Sequence, residues 1–285
     1  MTSYTLANSS GIRLSAIMAA HNAEKTISAA IWTALKALPK DAELLVYLDG
    51  CSDNTLAKVS KFKDKRLLFE VSEKNVGVVE ARNRLIRKSR GEYLAICDAD
   101  DIYLPNRFKS PLRFLSQRQA DLVFQHALVV KGLLVIPQLP EPLDDRQTLL
   151  ALSLGNPFVN SAGTFRKEVW EKLGGYSPVP SEDYDFWLRA SQGGFRFLKL
   201  RTYGVLYRVH SHQLSQNLAW KKAVSNHKAL RDLVCKQDKY ARGRLGSTYV
   251  EQYLARSHRG IAKTIVKVAG GTAKLLGLNS REHQR

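Results

Sequence analysis

Gly91-Glu92-Tyr93-Leu94-Ala95-Ile96-Cys97-Asp98-Ala99-Asp100-Asp101 decides the fold. Tyr93 to Cys97 is a short apolar run of β-forming residues, with the length and flanks of a buried strand rather than a helix. Three carboxylates then fall within four residues at the strand's carboxyl end. Helical signals resume around Leu104-Pro105, where a proline suits a first helical turn. In open α/β sheets, ligands bind just outside the carboxyl ends of strands. Carboxylates this close repel each other, and a divalent metal carrying a phosphate ligand is the natural counter-charge. Taken alone, the three acids read better as an acidic turn with an Asp helix cap. The buried strand before them raises the other reading, and the rest of the chain decides between the two.

Upstream, strand and helix alternate. Arg13 to Ala19 predicts a first buried strand. His21-Asn22-Ala23-Glu24 follows, with Asn22 a candidate helix cap, and Thr26 to Leu38 carries apolar residues at helical spacing. Glu43 to Leu48 predicts a second strand, ending in Asp49-Gly50-Cys51-Ser52-Asp53-Asn54-Thr55, a polar turn into a helix capped by Ser52 or Asp53. Arg66 to Val71 predicts a third strand, Asn75-Val76-Gly77 a turn, and Val78 to Ser89 a helix. This alternation implies right-handed crossovers and a parallel sheet covered on both faces.

Downstream the pattern changes. Helices are expected over Leu104 to Gln117, Asp144 to Leu154, Lys167 to Leu173 and Glu182 to about Gln192, the last capped by Ser181. Strands are expected over Ala120 to Val130, Leu133 to Ile136, Phe195 to Leu198 and Val205 to Val209. Gly155 to Gly163 reads as a loop. Beyond it lie two basic, mainly helical stretches, Asn217 to Lys236 and Tyr249 to about Leu278, separated by a flexible Arg242-Gly243-Arg244-Leu245-Gly246.

The 285 residues are 44% hydrophobic and 25% charged, a globular composition with length for one large domain and an appendage. No apolar run reaches the roughly 18 residues that span a bilayer. Cys51, Cys97 and Cys235 have no metal-ligand spacing and read as reduced thiols of a cytosolic protein. The net charge is +18, and residues 216–285 hold +11 of it, with 15 Lys or Arg against 4 Asp or Glu. A basic tail on a nearly ordinary body suggests an anionic partner surface. Ile261 to Leu278 sets Ile265, Val266, Val268 and Leu275 against Lys263, Lys267 and Lys274. That pattern suits a helix lying on an anionic membrane, and equally one packed on the body or on a second subunit.

Four clusters fall where a parallel sheet would gather them at one edge: His21-Asn22, Asp49 to Asp53, Arg82-Asn83 and Asp98 to Asp101. Glu182-Asp183-Tyr184-Asp185 adds a fifth from the second half. Singly, each reads as capping or surface solvation. Together they resemble a family 2 glycosyltransferase with the GT-A fold, an α/β Rossmann-like, mostly parallel sheet with helices on both faces. The resemblance also runs through Ser15 to Ile27, Asn75-Val76-Gly77, Gly174-Gly175-Tyr176 and Tyr207-Arg208-Val209-His210. It covers about residues 13 to 215 in the family's order and spacing. It implies a catalytic domain over 1–215 and a basic helical C-terminal extension over 216–285.

The resemblance further implies inverting transfer of a sugar from a nucleoside diphosphate donor, UDP- or dTDP-linked, with Mg2+ or Mn2+. By position, Asp49 resembles the carboxylate that reads the base, and Ala20, His21 and Asn22 would line the nucleoside. Arg82 would lie near base or phosphates. Asp98 would approach ribose or metal, Asp100 would hold the metal with Asp101 close by, and His210 and Arg208 would meet the diphosphate or metal. Asp183 resembles the catalytic base, and Glu182 would bind acceptor or donor sugar. Ala19 stands where the family usually has Pro, Leu48 where it often has a second acid, and His21 where Tyr is usual.

The expected acceptor is a glycan or lipid-linked hydroxyl in surface-polysaccharide synthesis. The expected location is the cytoplasm, with peripheral attachment to the inner membrane face through the basic C-terminal helices. A homo-oligomer is compatible with this reading. The alternative is a non-catalytic protein that binds membrane or nucleic acid through its tail. Aromatics are not interleaved with the basic residues as nucleic-acid stacking platforms require, so no nucleic acid is expected.

Overall fold

A computed structural model describes residues 11–132, 134–136, 141–209 and 217–257. The first half alternates as its hydrophobic pattern dictates: β1 Leu14–Ala20, α1 Ile27–Ala37, β2 Ala42–Asp49, α2 Thr55–Val59, β3 Leu67–Ser72, α3 Val78–Lys88 and β4 Tyr93–Asp98. These four strands are mutually parallel. Then come β5 Ile102–Tyr103, α4 Lys109–Ser116, β6 Leu122–Lys131, β7 Leu134–Ile136, α5 Asp145–Leu154, β8 Gly163–Arg166, α6 Lys167–Leu173, α7 Glu182–Gln192 and β9 Phe197–Arg208. The sheet order is β3-β2-β1-β4-β8-β6-β9-β5, with β7 beside β6. It is the expected mostly parallel α/β sheet. β8 is inserted antiparallel between β4 and β6.

Strand periodicity sorts the core into two layers. Ala16 and Met18 of β1 pack with Ile27, Ile31 and Leu35 of α1 on one face. Ile17, between them, points to the other face with Leu85 of α3 and Phe186 and Trp187 of α7. At the amino ends of the strands, buried Glu43 ties three elements. It accepts from Ser15 Oγ at 2.6 Å and from Arg90 Nη2 at 2.6 Å. Ser15 Oγ accepts in turn from Gly91 N at 2.9 Å. A Cβ on Gly91 would sit 2.5 Å from Ser15 N, which is why glycine opens this stretch.

Several expectations are corrected. The helix expected from Leu104 begins only at Lys109, because Ile102 and Tyr103 pair with β9 and Leu104 N donates to Gly204 O at 2.9 Å. The loop expected over Gly155 to Gly163 holds a short 3-10 turn, Asn160–Ala162, and runs into β8. The two strands expected between Phe195 and Val209 are one strand, irregular opposite Phe124 to Ala127. Asn22 caps no helix; it has φ +46° and spans to the next loop. Ser181 precedes α7 in the left-handed region, φ +61°, without a side-chain cap.

The chain ends, within the described residues, in α8 Leu218–Asn226, α9 Lys228–Leu245 and α10 Ser247–Ser257. Arg242 to Leu245 is helical; the break falls at Gly246, φ +82°. Leu230 and Val234 of α9 join the same buried cluster as Trp187. Buried Gln237 donates through Nε2 to Leu149 O at 3.0 Å and to Ser191 Oγ at 2.8 Å. Among the described residues no helix is long and apolar enough to cross a membrane. The amphipathic segment expected over 261–278 lies outside the described residues.

Candidate active site

Parallel register carries the functional residues of the first half to one edge. Ala19 of β1 lies opposite Asp98 of β4, and Ala20 opposite Leu48, one residue before Asp49. Here His21 Nδ1 lies 2.6 Å from Asp49 O. A carbonyl only accepts, so Nδ1 carries the proton, and Nε2 accepts from Asn22 Nδ2 at 3.3 Å. Asn22 Oδ1 accepts from Ser52 N at 2.8 Å. His21, Asn22 and Asp49 therefore form one hydrogen-bonded corner, next to Ala20 at the end of β1. The Asp49 carboxylate is 3% exposed and accepts from Val76 N at 2.7 Å and Gly77 N at 2.9 Å. It fastens the end of β2 to the start of α3. Gly50, at φ +60°, passes so close that a Cβ would lie 2.5 Å from Asn75 N.

The second corner is built on Arg82 of α3, which is buried. Its Nη2 donates to Asp98 Oδ1 at 2.8 Å and its Nη1 to Glu182 Oε1 at 2.5 Å. Burial alone would weaken the guanidinium's hold on its proton; the Asp98 and Glu182 carboxylates outweigh it and hold the group firmly charged. Burial raises the Asp98 carboxyl above the ordinary range, Arg82 draws it back down, and the Asp100 charge raises it again.

Asp101 differs from its neighbours. It is fully buried, its Oδ2 accepts from Ser161 Oγ at 2.5 Å, and its Oδ1 accepts from Arg208 N at 3.1 Å. Burial and the charges of Asp98 and Asp100 push its carboxyl well up. Both oxygens are occupied in joining β4 to the turn before β8 and to the end of β9. This gives Asp101, expected close to the metal, a structural task. His210 lies outside the described residues.

Asp183 stands in the first turn of α7. Its Oδ1 accepts from Tyr184 N at 2.8 Å and Ser181 Oγ at 3.2 Å, and its Oδ2 accepts from Asn156 Nδ2 at 2.9 Å. Burial and adjacent Glu182 push its carboxyl up to about 6, against the pull of Tyr184 N, Arg82 and Ser181. A carboxylate at that value is ionised at neutral pH and is still a useful proton acceptor.

Among the described residues no three His, Cys, Asp or Glu side chains form a metal cage. Mg2+ and Mn2+ sites on diphosphates do not need one: one or two carboxylates plus substrate oxygens suffice. Asp98 and Asp100 would supply that all-oxygen donor set. Burial first, and then the neighbouring carboxylates, push Asp98 and Asp101 up. The residues present fit a divalent ion.

The structure thus joins Arg82, Asp98 and Glu182 directly and sets Asp183 beside them on α7. His21, Asn22 and Asp49 form a separate corner along the same edge. Sequence reasoning missed Asn156, Asn160 and Ser161, which lie in the segment read as a loop. Their only signal is an Asn-Pro pair after Gly155, a turn mark without chemistry.

The model of the family described as "Glycosyl transferase family 2" matches residues 15–167, more than half of the chain. The Escherichia coli UDP-Glc:alpha-D-GlcNAc-diphosphoundecaprenol beta-1,3-glucosyltransferase WfaP is 23% identical over 220 residues, covering 77% of this chain and 86% of that protein. Two solved structures are similar in fold. Staphylococcus aureus TarS 1-349 in complex with UDP-GlcNAc gives a TM-score of 0.62 at 18% identity, over 83% of this chain and 74% of that one. The mannosyltransferase PcManGT from Pyrobaculum calidifontis, with GDP-Man and Mn2+, gives 0.61 at 16% identity, over 94% and 86%.

Proposed function

Because the chain belongs to glycosyl transferase family 2, we propose that it moves a sugar, with inversion, from a UDP- or dTDP-linked donor to a hydroxyl of a glycan or lipid-linked acceptor. The observation that carries this reading is the bracket Asp98–Arg82–Glu182. It fixes the strand-end carboxylates and the amino end of α7, with Asp183, in one frame. The E. coli relative, named for a UDP-glucose donor and a diphosphoundecaprenol-linked acceptor, supports the substrate classes. The alternative of a non-catalytic binding protein finds no support.

The nucleoside would lie against Ala20, His21 and Asn22, above the carbonyl of Asp49. Asp49 would act on it through the loop it fastens. Asp98 and Asp100 would hold Mg2+ or Mn2+, which when bound neutralises the diphosphate as it leaves. Asp183 takes the proton from the acceptor hydroxyl. The acceptor oxygen forms its bond to the anomeric carbon, and the bond to the diphosphate breaks on the opposite face with its electron pair. Glu182, held by Arg82, faces the sugar. Donor supply and a lipid-linked acceptor would place the chain at the cytoplasmic face of the membrane.

The test is turnover of UDP-glucose and dTDP-glucose with undecaprenyl-diphosphate-linked GlcNAc, the product anomer being read by NMR. An inverted linkage that disappears in Asp183→Asn is expected. Retention of configuration, or full transfer by Asp183→Asn, would overturn the mechanism.

A further inference from the structure

The segment from Gly155 to Gly163 reaches three charged groups of the site. Asn156 Nδ2 donates to Asp183 Oδ2 at 2.9 Å, and Ser161 Oγ donates to Asp101 Oδ2 at 2.5 Å. The Asn160 amide oxygen, turned toward Arg82, accepts from Nη2 at 3.1 Å and Nη1 at 3.2 Å. The segment is itself fastened. Lys199 Nζ donates to Pro157 O at 2.9 Å, and the buried Phe158 ring stacks on Phe124 with centroids 3.8 Å apart.

The Asp183 carboxylate is therefore held from two sides. Oδ1 is bound by its own helix end, through Tyr184 N and Ser181 Oγ. Among the described residues, Asn156 alone binds Oδ2 from across the site. Asn156 cannot turn freely, because its Oδ1 accepts from Phe158 N at 3.2 Å. Those two bonds fix which end of the amide faces Asp183: the donor end.

We infer that Asn156 is a positioning residue for Asp183, fixing the direction of Oδ2 and favouring its ionised form, and that Lys199 locks the segment on which Asn156 rides. The inference rests on the reading of Asp183 as the base. A hydrogen bond to the charged form favours that form, and it opposes the repulsion from Glu182 and the cost of burial. The other groups facing Asp183 are Arg82 from α3 and the buried Tyr176 from the turn before α7. Arg82 acts in the same direction as Asn156 but is shared with Asp98 and Glu182.

The experiment is an NMR titration of the Asp183 carboxyl carbon in the full-length chain labelled at aspartate, with UDP and Mg2+ present. The signal is assigned by its loss in Asp183→Asn. Its midpoint is expected to rise from wild type to Asn156→Ala by at least about half a pH unit, through loss of a donor to the charged form. Asn156→Asp is expected to raise it further, because a second carboxyl then faces the first. Lys199→Met should behave as Asn156→Ala, and Lys199→Arg as wild type. UDP-glucose turnover with water as acceptor should fall in kcat, about tenfold or more, with KM nearly unchanged.

Equal midpoints in wild type, Asn156→Ala and Asn156→Asp, in proteins that bind UDP normally, would overturn the inference. If Asn156→Ala does not bind UDP, Asn156→Asp decides alone, since it keeps the acceptor for Phe158 N. Full turnover by Asp183→Asn would instead sink the base assignment, whatever the midpoints show.

Discussion

Arg82 and Glu182 are 100 positions apart in sequence and meet at 2.5 Å, joining helix α3 to the start of α7. Asp98 occupies the other arm of the same guanidinium. One buried arginine therefore registers the half of the fold that ends in Asp98 against the half that carries the proposed base.

Arg82→Met is expected to destabilise the protein by about 3–5 kcal/mol, because it leaves two partly buried carboxylates unpaired. Arg82→Lys, a point charge without the planar fork, should recover only part of this. Urea unfolding of the three proteins measures both. A loss below about 1 kcal/mol for Arg82→Met would contradict the bracket.

Asp100 and Asp101 are neighbours for which different substitution effects are expected. Asp101→Ala is expected to lower the melting temperature, because Ser161 Oγ and Arg208 N lose their acceptor inside the protein. Asp100→Asn is expected to weaken metal-dependent nucleotide binding at least about tenfold. Thermal melting of Asp101→Ala and calorimetry of Asp100→Asn measure these effects.

The acid limb of kcat/KM is expected near pH 6, where the raised Asp183 carboxyl titrates. Below that value the base is protonated and the rate falls; above it the rate levels. The stability effect has the opposite sense. A folded-state value above the ordinary one favours the protonated native state, so this group's contribution to stability declines as pH rises from about 4 to about 6. Asp183→Asn should remove the limb and slow transfer by about 10²–10⁴.

Ending the chain at residue 215 is expected to yield an unstable protein. Leu230 and Val234 would no longer complete the buried cluster that holds Trp187, and Gln237 would leave Leu149 O and Ser191 Oγ. Each apolar side chain contributes about 1.5–3 kcal/mol by burial. Soluble expression and a cooperative melt of residues 1–215, equal to those of the full chain, would contradict this.

The alternating half of the fold was legible because its strands are short, predominantly apolar runs. Leu14 to Met18 and Leu44 to Leu48 are buried on both faces, and each ends in polar or Gly turns. β8 was not legible. It has four residues, begins at Gly163, ends at Arg166, and is a strand only because β4 and β6 flank it. The edge cluster of carboxylates was visible, but the difference between them was not. Asp101 looks like Asp100 in sequence, and only Ser161 and Arg208 N, 60 and 107 positions away, give it a structural task. Asn156 was invisible for the same reason: its partner is 27 positions on. The helix break was placed early because Gly243 weakens a helix, yet packing of Ala241 and Leu245 on Leu149 and Leu150 carries α9 through it.

The proposed reaction requires a nucleoside diphosphate site completed by a divalent ion at Asp98 and Asp100. Calorimetric titration of UDP, dTDP and GDP into the full-length protein, with and without Mn2+, tests it most directly, with Asp100→Asn as the control. Binding of UDP or dTDP that requires Mn2+ and is lost in Asp100→Asn is the predicted result. Binding unaffected by Mn2+ and by Asp100→Asn, or no binding of any nucleotide, would contradict the account.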